Sequence, residues 1–391
     1  MKNEISGSRV FLTGRGFILG GYTSIDTLWR SVQSDDHFLS DPPAVSDCVE
    51  ALGDDLAESR LLSRHQLLGL AAAEMAWREA GFNPTRNSLR SRDPAIRHSR
   101  VGFVGGSSLG GLSAFQEDTT LGRKLSPFAL FKWRGNAIAS AVSIRFGLGG
   151  NQIALNSASA TGSQAIALAG HLIRSGMLDA AVVVGADCLP IGHILSAMNR
   201  NHSRSHQNNS RPLSPTRSGM HPVEGSACII LESERHLDMR KAKPICEWLN
   251  ARCESEAFHP FAPNPSALVM HQLITDFLSM SIDWVSLHST GTLIFDPLEV
   301  STVKSAFGAH LPWLSAFKRT IGHTLSAAGV FDALLLSKGL EAGEWPIWPK
   351  NMDHLLNLPS NRNVPSTQPN TALQLGQGMG GLVTCNLWRR L

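Results

Sequence analysis

Short uninterrupted apolar runs alternate along the chain with longer stretches in which apolar residues recur every three or four positions. The first pattern predicts buried strands and the second predicts helices. "RVFLTGRGFI" (Arg9–Ile18) is a strand that breaks at glycines. "SRHQLLGLAAAEMAWREAGF" (Ser63–Phe82) predicts a helix capped by Ser63 and stopped by Gly81, with Leu67, Leu68, Ala71 and Met75 on its apolar face. "RVGFVGGSSLGGL" (Arg100–Leu112) is a strand entering a Gly-rich turn. From Ala165 the residues Ile166, Ala169, Leu172 and Ile173 keep helical spacing until Gly176, and "AAVVVGA" (Ala180–Ala186) follows as a strand buried on both faces.

One interval interrupts the alternation. Asn199–His221, "NRNHSRSHQNNSRPLSPTRSGMH", is polar and turn-rich, and reads as a loop. After it "SACIILES" (Ser226–Ser233) resumes as strand, "IDWVSLHSTG" (Ile282–Gly291) predicts another, and an apolar helical run begins beyond Gly322. Repeated strand–helix alternation predicts an α/β fold with a parallel or mixed sheet and helices on both faces. No short-period repeat is present. Two similar series, 1–235 and 236–391, fit a duplicated fold.

Composition narrows the classes. At 391 residues, with 42% hydrophobic and 17% charged residues, the chain predicts an ordered globular protein. A net charge of +3 with no Lys/Arg block gives no ground for nucleic-acid binding. The six cysteines are scattered without a CxxC pair, which predicts reduced thiols in a cytoplasmic protein. No apolar leader-like stretch opens the sequence and no run of eighteen apolar residues occurs, so neither export nor membrane insertion is expected. His202 and His206 stand four apart, but their Asn/Ser-rich surroundings make a poor helix for a metal pair.

Four segments carry candidate chemistry. "NSASATGSQAI" (Asn156–Ile166) places small hydroxyl residues before a helix N-terminus, where backbone N–H groups favour developing negative charge; close packing of a buried helix start would demand the same small residues. "LHSTGTLIFDPLE" (Leu287–Glu299) puts His288 at a strand end, with the Thr290 and Thr292 hydroxyls on one side of the chain behind it. "KRTIGHTLSAAG" (Lys318–Gly329) puts His323 before a small-residue helix start, where it could also serve as a cap, and Lys318 could equally be a solvated side chain. "GQGMGG" (Gly376–Gly381) is a tight turn able to present backbone donors, without a nucleotide-binding pattern.

In order and spacing, these segments resemble the β-ketoacyl-acyl carrier protein synthases, the elongating condensing enzymes of the thiolase fold. The likeness spans nearly the whole chain. "RVFLTGRG" is similar to the family's opening strand, "SASATG" to its "TACATG"-type nucleophile motif, and "RPLSPTRSGMHPVEGSA" (Arg211–Ala227) to its "RPFD..RDGFV.GEGA" segment. "HSTGTLIFDPLE" is similar to "HGTGT...D..E", "KRTIGHTLSAAG" to "K..TGH..GAAG", and "GQGMGG" to "GFGFGG". The resemblance implies two αβαβα halves forming a five-layered core. It implies Ser159 at the nucleophile position, His288 and His323 as donors to a malonyl thioester carbonyl, and Lys318 as their electrostatic support. Thr290 and Thr292 would hold a pantetheine arm, and the N–H groups of Ser159 and Met379 would form an oxyanion hole. No cofactor is expected to bind tightly; 4'-phosphopantetheine would arrive on an acyl carrier protein.

The departures matter as much. Ser159 replaces the family's cysteine, and a serine hydroxyl needs a base where a thiol is already partly ionised. Gln377 and Met379 replace two gating phenylalanines, Asp332 replaces a glutamate that would pair with Lys318, and Ser289 replaces a glycine. These features point to a ketosynthase-like subunit of a type II fatty acid or polyketide system, aryl polyene systems included. It would not condense alone, and would pair with a cysteine-bearing ketosynthase as chain-length-factor subunits do. The alternatives are an autonomous, homodimeric ketosynthase whose cysteine has been substituted, or a malonyl-carrier decarboxylase or acyltransferase using Ser159. A basic patch at Arg123, Lys124, Lys132 and Arg134 is the candidate docking surface for an acidic carrier protein; an ordinary solvated surface would look the same.

Overall fold

The structure is a computed structural model that describes residues 8–35, 48, 52, 61–83, 86–89, 96–120, 126–189, 192–205, 207 and 211–391. Its strands are β1 (Val10–Leu19), β2 (Val101–Gly106), β3 (Gln152–Leu155), β4 (Ala180–Asp187), β5 (Gly225–Ser233), β6 (Cys246–Ser255), β7 (Trp284–Ser286), β8 (Trp313–Ser315), β9 (Thr371–Gly378) and β10 (Leu382–Arg389). They hydrogen-bond in the order β3-β2-β4-β5-β1-β6-β10-β9-β7-β8.

The seam of this sheet is the antiparallel pairing of β1 with β6, Val10 opposite Trp248 and Leu12 opposite Cys246. Outward from β1 the next two pairings are antiparallel and the last two parallel. Outward from β6 the sequence of pairings is the same. Such a repeat of sense and order is what a duplicated αβαβα unit produces.

Between the two half-sheets lie the helices Thr161–Arg174 and Ala328–Ala342. Both are apolar on several sides because sheet covers them on both faces. Their N-termini cross at two glycines. A Cβ on Gly162 would stand 2.6 Å from the Ser326 carbonyl oxygen. One on Gly329 would overlap the Ser163 backbone nitrogen and lie 2.8 Å from the Ser163 Cβ. The glycines of "SATG" and "SAAG" are thus required by a reciprocal close approach of backbone to backbone.

The helix Arg64–Glu79 covers β1, β4 and β5 from outside. Ser63 caps it in a capping box with Gln66, as its sequence predicts. The single apolar face read from the sequence is too narrow a description. Residues on nearly every side are buried, Met75 only partly, because the helix Ala137–Phe146 and residues Cys48 and Leu52 close over it. Its interior Glu74 accordingly pairs with Arg86 at 2.8 Å and Arg78 at 3.1 Å.

Candidate active site

In each half the three parallel strands run in one direction, so their C-terminal ends open onto one edge of the sheet. On the β3-β2-β4 side these ends lead to Ser159, the turn at Ser107–Leu109 and Asp187. On the β7-β8-β9 side they lead to His288, Lys318 and the glycine loop at Gly378–Gly381. The two edges meet around a cavity of about 550 Å³. Its lining includes Ser159, His288, Thr290, Thr292, His323, Gln377 and Met379. Of the residues to which the resemblance gives a catalytic, pantetheine-binding or gating role, Lys318 alone is absent from the lining.

Ser159 sits in a tight turn at the start of the helix Thr161–Arg174. Ala158 before it takes the left-handed conformation with φ +49°, which turns the chain sharply enough to leave Ser159 half-buried and facing the cavity. Thr161 locks the turn, its hydroxyl donating to the Ala158 carbonyl at 2.7 Å and accepting the Ser157 N–H at 2.9 Å. Among the described residues, no hydrogen bond joins the Ser159 hydroxyl to either imidazole.

The loop carrying His288 is stapled by two carboxyls on the first turns of the helix Phe295–Phe307. Glu299 accepts the His288 N–H at 2.6 Å, the Ser289 N–H at 2.8 Å and the Ser289 hydroxyl at 3.1 Å. Asp296 accepts N–H groups from Thr290 and Gly291, both at 3.0 Å, and from Leu213 at 2.8 Å. Complete burial pushes Glu299 up to about 7 and Asp296 up to about 6. Ser289 holds φ +27°, a conformation that glycine takes without strain, and its hydroxyl bond to Glu299 offsets part of that cost. The Thr290 hydroxyl donates to Thr292 at 3.2 Å. Thr292 also accepts the Phe295 N–H at 3.1 Å, so its own O–H remains free to donate into the cavity.

His288 and His323 stand with ring centroids 5.8 Å apart and planes nearly perpendicular. Burial, aided by the charge of Lys318, holds His288 well below its ordinary pKa and His323 down to about 3. Both are therefore neutral at physiological pH. The Nδ1 of His323 accepts the Leu325 N–H at 3.0 Å, which fixes the proton on Nε2. That Nε2 is buried with no partner among the described residues. The histidine is at once a cap for the short helical turn Leu325–Ala327 and a donor to the cavity.

Lys318 is buried, not solvated. Its Nζ donates to the Asp332 Oδ2 at 3.2 Å, so the shorter acid still reaches. Burial pushes Asp332 up to about 6 against the pull of Lys318.

Sequence reasoning missed several residues. Asp187 accepts the N–H groups of Ser108 and Leu109, both at 3.1 Å, and of Ser326 at 2.9 Å, tying the two halves together beside the cavity. The polar, turn-rich interval Asn199–His221 contributes to the cavity. Asn201, His202, Ser203, Ser218 and Met220 line the cavity, and Leu213 is fully buried. The anchoring of Leu213 by Asp296 draws the segment inward. His206, Arg123 and Lys124 lie outside the described residues. Lys132 and Arg134 are on and just after the short helix Ala129–Trp133, away from the cavity lining. Among the described residues no group of three or more His, Cys, Asp or Glu is placed to hold a metal ion.

Residues 46–236 match the N-terminal domain of β-ketoacyl synthases and residues 247–349 match the C-terminal domain. The chain belongs to the β-ketoacyl synthase family. It is 28% identical over 313 residues to 3-oxoacyl-[acyl-carrier-protein] synthase 2 of Coxiella burnetii, covering 74% of this chain and 72% of that protein. The same thiolase fold is found in the ishigamide ketosynthase/chain length factor, with TM-score 0.82, 21% identity and coverage of 99% and 100%. It is found again in a chain of the structure of a type II PKS acyl-carrier protein in complex with its ketosynthase, with TM-score 0.80, 18% identity and coverage of 99% and 100%. Among the described residues no helix is long and apolar enough to cross a membrane.

Proposed function

We propose that this β-ketoacyl synthase-like chain is the non-condensing partner of a cysteine-bearing ketosynthase in a type II fatty acid or polyketide system. One observation carries the reading. The buried imidazole of His323 presents Nε2–H to the cavity and spends its lone pair on Leu325, so it cannot take the proton of Ser159. His288 makes no hydrogen bond to Ser159 either, so no base is poised on the serine hydroxyl, where a cysteine would be partly ionised unaided.

The rest of the site supports thioester recognition. Thr290 and Thr292 line the cavity, with the Thr292 O–H free for a carbonyl of a 4'-phosphopantetheine arm. The backbone N–H groups of Ser159 and Met379 are the oxyanion hole in this reading. The curated relative is named for an acyl-carrier-protein substrate, and one structural neighbour is a complex with such a carrier. Two features support a second subunit. β3 ends the sheet with Gln152 and Ala154 exposed. Between β2 and β3 the apolar side chains of Leu112, Phe115, Phe128 and Leu130 are 45–67% exposed.

A second reading, decarboxylation of a malonyl thioester, is favoured by the intact His323 donor and the Lys318–Asp332 pair. Carbon dioxide would leave with its bonding electrons passing to the thioester oxygen. Nε2–H would stabilise that enolate, and a water proton would complete the acetyl thioester. Native mass spectrometry of the chain co-expressed with a cysteine-bearing ketosynthase from the same source tests the main reading. A 1:1 heterodimer is expected; a homodimer that turns over acyl carrier protein unaided would overturn it.

A further inference from the structure

The wall of the cavity contains a polar pair that the site chemistry does not use. In β9, Gly376 and Gly378 face the helix Thr161–Arg174, where an added Cβ would overlap Ser163 and Ser157. Strand alternation turns Gln377 the other way, toward the cavity and toward Glu256 just beyond β6. Gln377 is 7% exposed. Its Nε2 donates to the Glu256 Oε2 at 3.2 Å, and its Oε1 has no partner among the described residues.

Glu256 fixes which way the amide points. Its backbone N–H donates to the Gly381 carbonyl at 2.8 Å, and its Oε2 accepts the Asn264 N–H at 3.1 Å, so the residue is held at its backbone and through Oε2, while Oε1 has no partner among the described residues. A carboxylate only accepts, so it selects the NH2 of Gln377 and sends the amide oxygen away. Nearby the lining is Phe261, Ala262, Pro263 and Met379. A buried acceptor left without a donor costs about 1–3 kcal/mol, so a molecule bound in the cavity gains by bringing a donor to this wall.

We propose that Gln377 is a specificity-determining residue, and Glu256 its positioning residue, that selects a thioester-bearing chain with an N–H or O–H donor opposite the Gln377 amide oxygen. The inference rests on the reading of the cavity as a thioester site. Two parts of such a ligand bring the required donor: an amide N–H of the carrier arm, or a hydroxyl on the acyl unit. A phenylalanine at this position, as the family pattern has, offers neither acceptor nor anchor.

Ligand-observed NMR titrations with S-acyl-N-acetylcysteamine thioesters test this without requiring turnover. Butyryl is compared with 3-hydroxybutyryl, and each with an analogue whose arm amide is replaced by an ester. The wild-type chain is expected to bind a donor-bearing ligand about 3–10-fold more tightly than its donor-free counterpart, and Gln377→Leu to abolish that preference. Loss of the amide-over-ester preference assigns the donor to the arm; loss of the hydroxyl preference assigns it to the acyl unit. Glu256→Gln, which lets the neighbouring amide turn over, should reduce the same ratio and carries the test if Gln377→Leu does not fold. Binding with the ratio unchanged in these variants overturns the role of Gln377 while leaving the thioester reading intact. No binding of any thioester to the wild-type chain overturns both.

Discussion

Replacing Glu299 by glutamine tests how the His288 loop is held. Each carboxyl oxygen of Glu299 receives one backbone N–H, from His288 and Ser289, inside a fully buried site. Glutamine keeps one acceptor and turns the other into an NH2 that faces a donor. One orphaned N–H and one lost bond together cost about 2–4 kcal/mol. The wild-type carboxyl adds a pH dependence that glutamine lacks. Its rise from 4.5 to about 7 corresponds to about 3 kcal/mol at 1.36 kcal/mol per tenfold. The folded-state value lies above the unfolded one, so this contribution is fully present below pH 4.5 and is lost as pH rises through 7. The deficit of Glu299→Gln should therefore be largest near pH 5 and smaller by about 3 kcal/mol at pH 8.5. Paired thermal melts at those pH values read it as a gap of a few degrees that narrows, since about 1 kcal/mol moves Tm by roughly 1 °C in a chain this long. A deficit that is flat or grows with pH would refute the argument.

Lys318→Met should destabilise the fold by about 3–5 kcal/mol at pH 8 by leaving Asp332 buried without its partner. Asp332 already titrates above its unfolded value, so it escapes by protonation and the loss should be smaller at pH 5.5; melts at the two values check the sign. Gly329→Ala should cost about 1–3 kcal/mol, because the new methyl meets Ser163 main chain, which cannot swing aside, and urea unfolding measures it. Ser159→Cys should gain covalent acylation by an acyl thioester while Ser159 shows none, since the thiol needs no base from His323; peptide mapping locates the adduct.

The strands at β1, β4 and β5 were legible because long apolar runs admit few other readings. β7 was legible within Ile282–Gly291, although it ends two residues before His288; β8 was not, since three residues carry no period. The carboxyls of "FDPLE" stand out in the motif, but their work, accepting five N–H groups of one folded segment and its neighbour, exists only once the loop closes over them. Asp187 and Glu256 gave no signal, because the contacts that place them at the site, with Ser108, Ser326 and Gln377, reach more than seventy residues along the chain. The polar Asn199–His221 segment showed its turns but not its place, since composition does not tell that Ser203, Ser218 and Met220 line the cavity.

The central claim is that Ser159 accepts no acyl group because no imidazole among the described residues is hydrogen-bonded to it to take its proton. Intact-mass measurement of the purified chain incubated with acyl- and malonyl-loaded carrier protein, alone and beside a cysteine-bearing ketosynthase, addresses it directly. The account predicts an unmodified chain in both mixtures, with the acyl mass on the partner's cysteine. An acyl adduct mapped to Ser159 in the chain alone would contradict it.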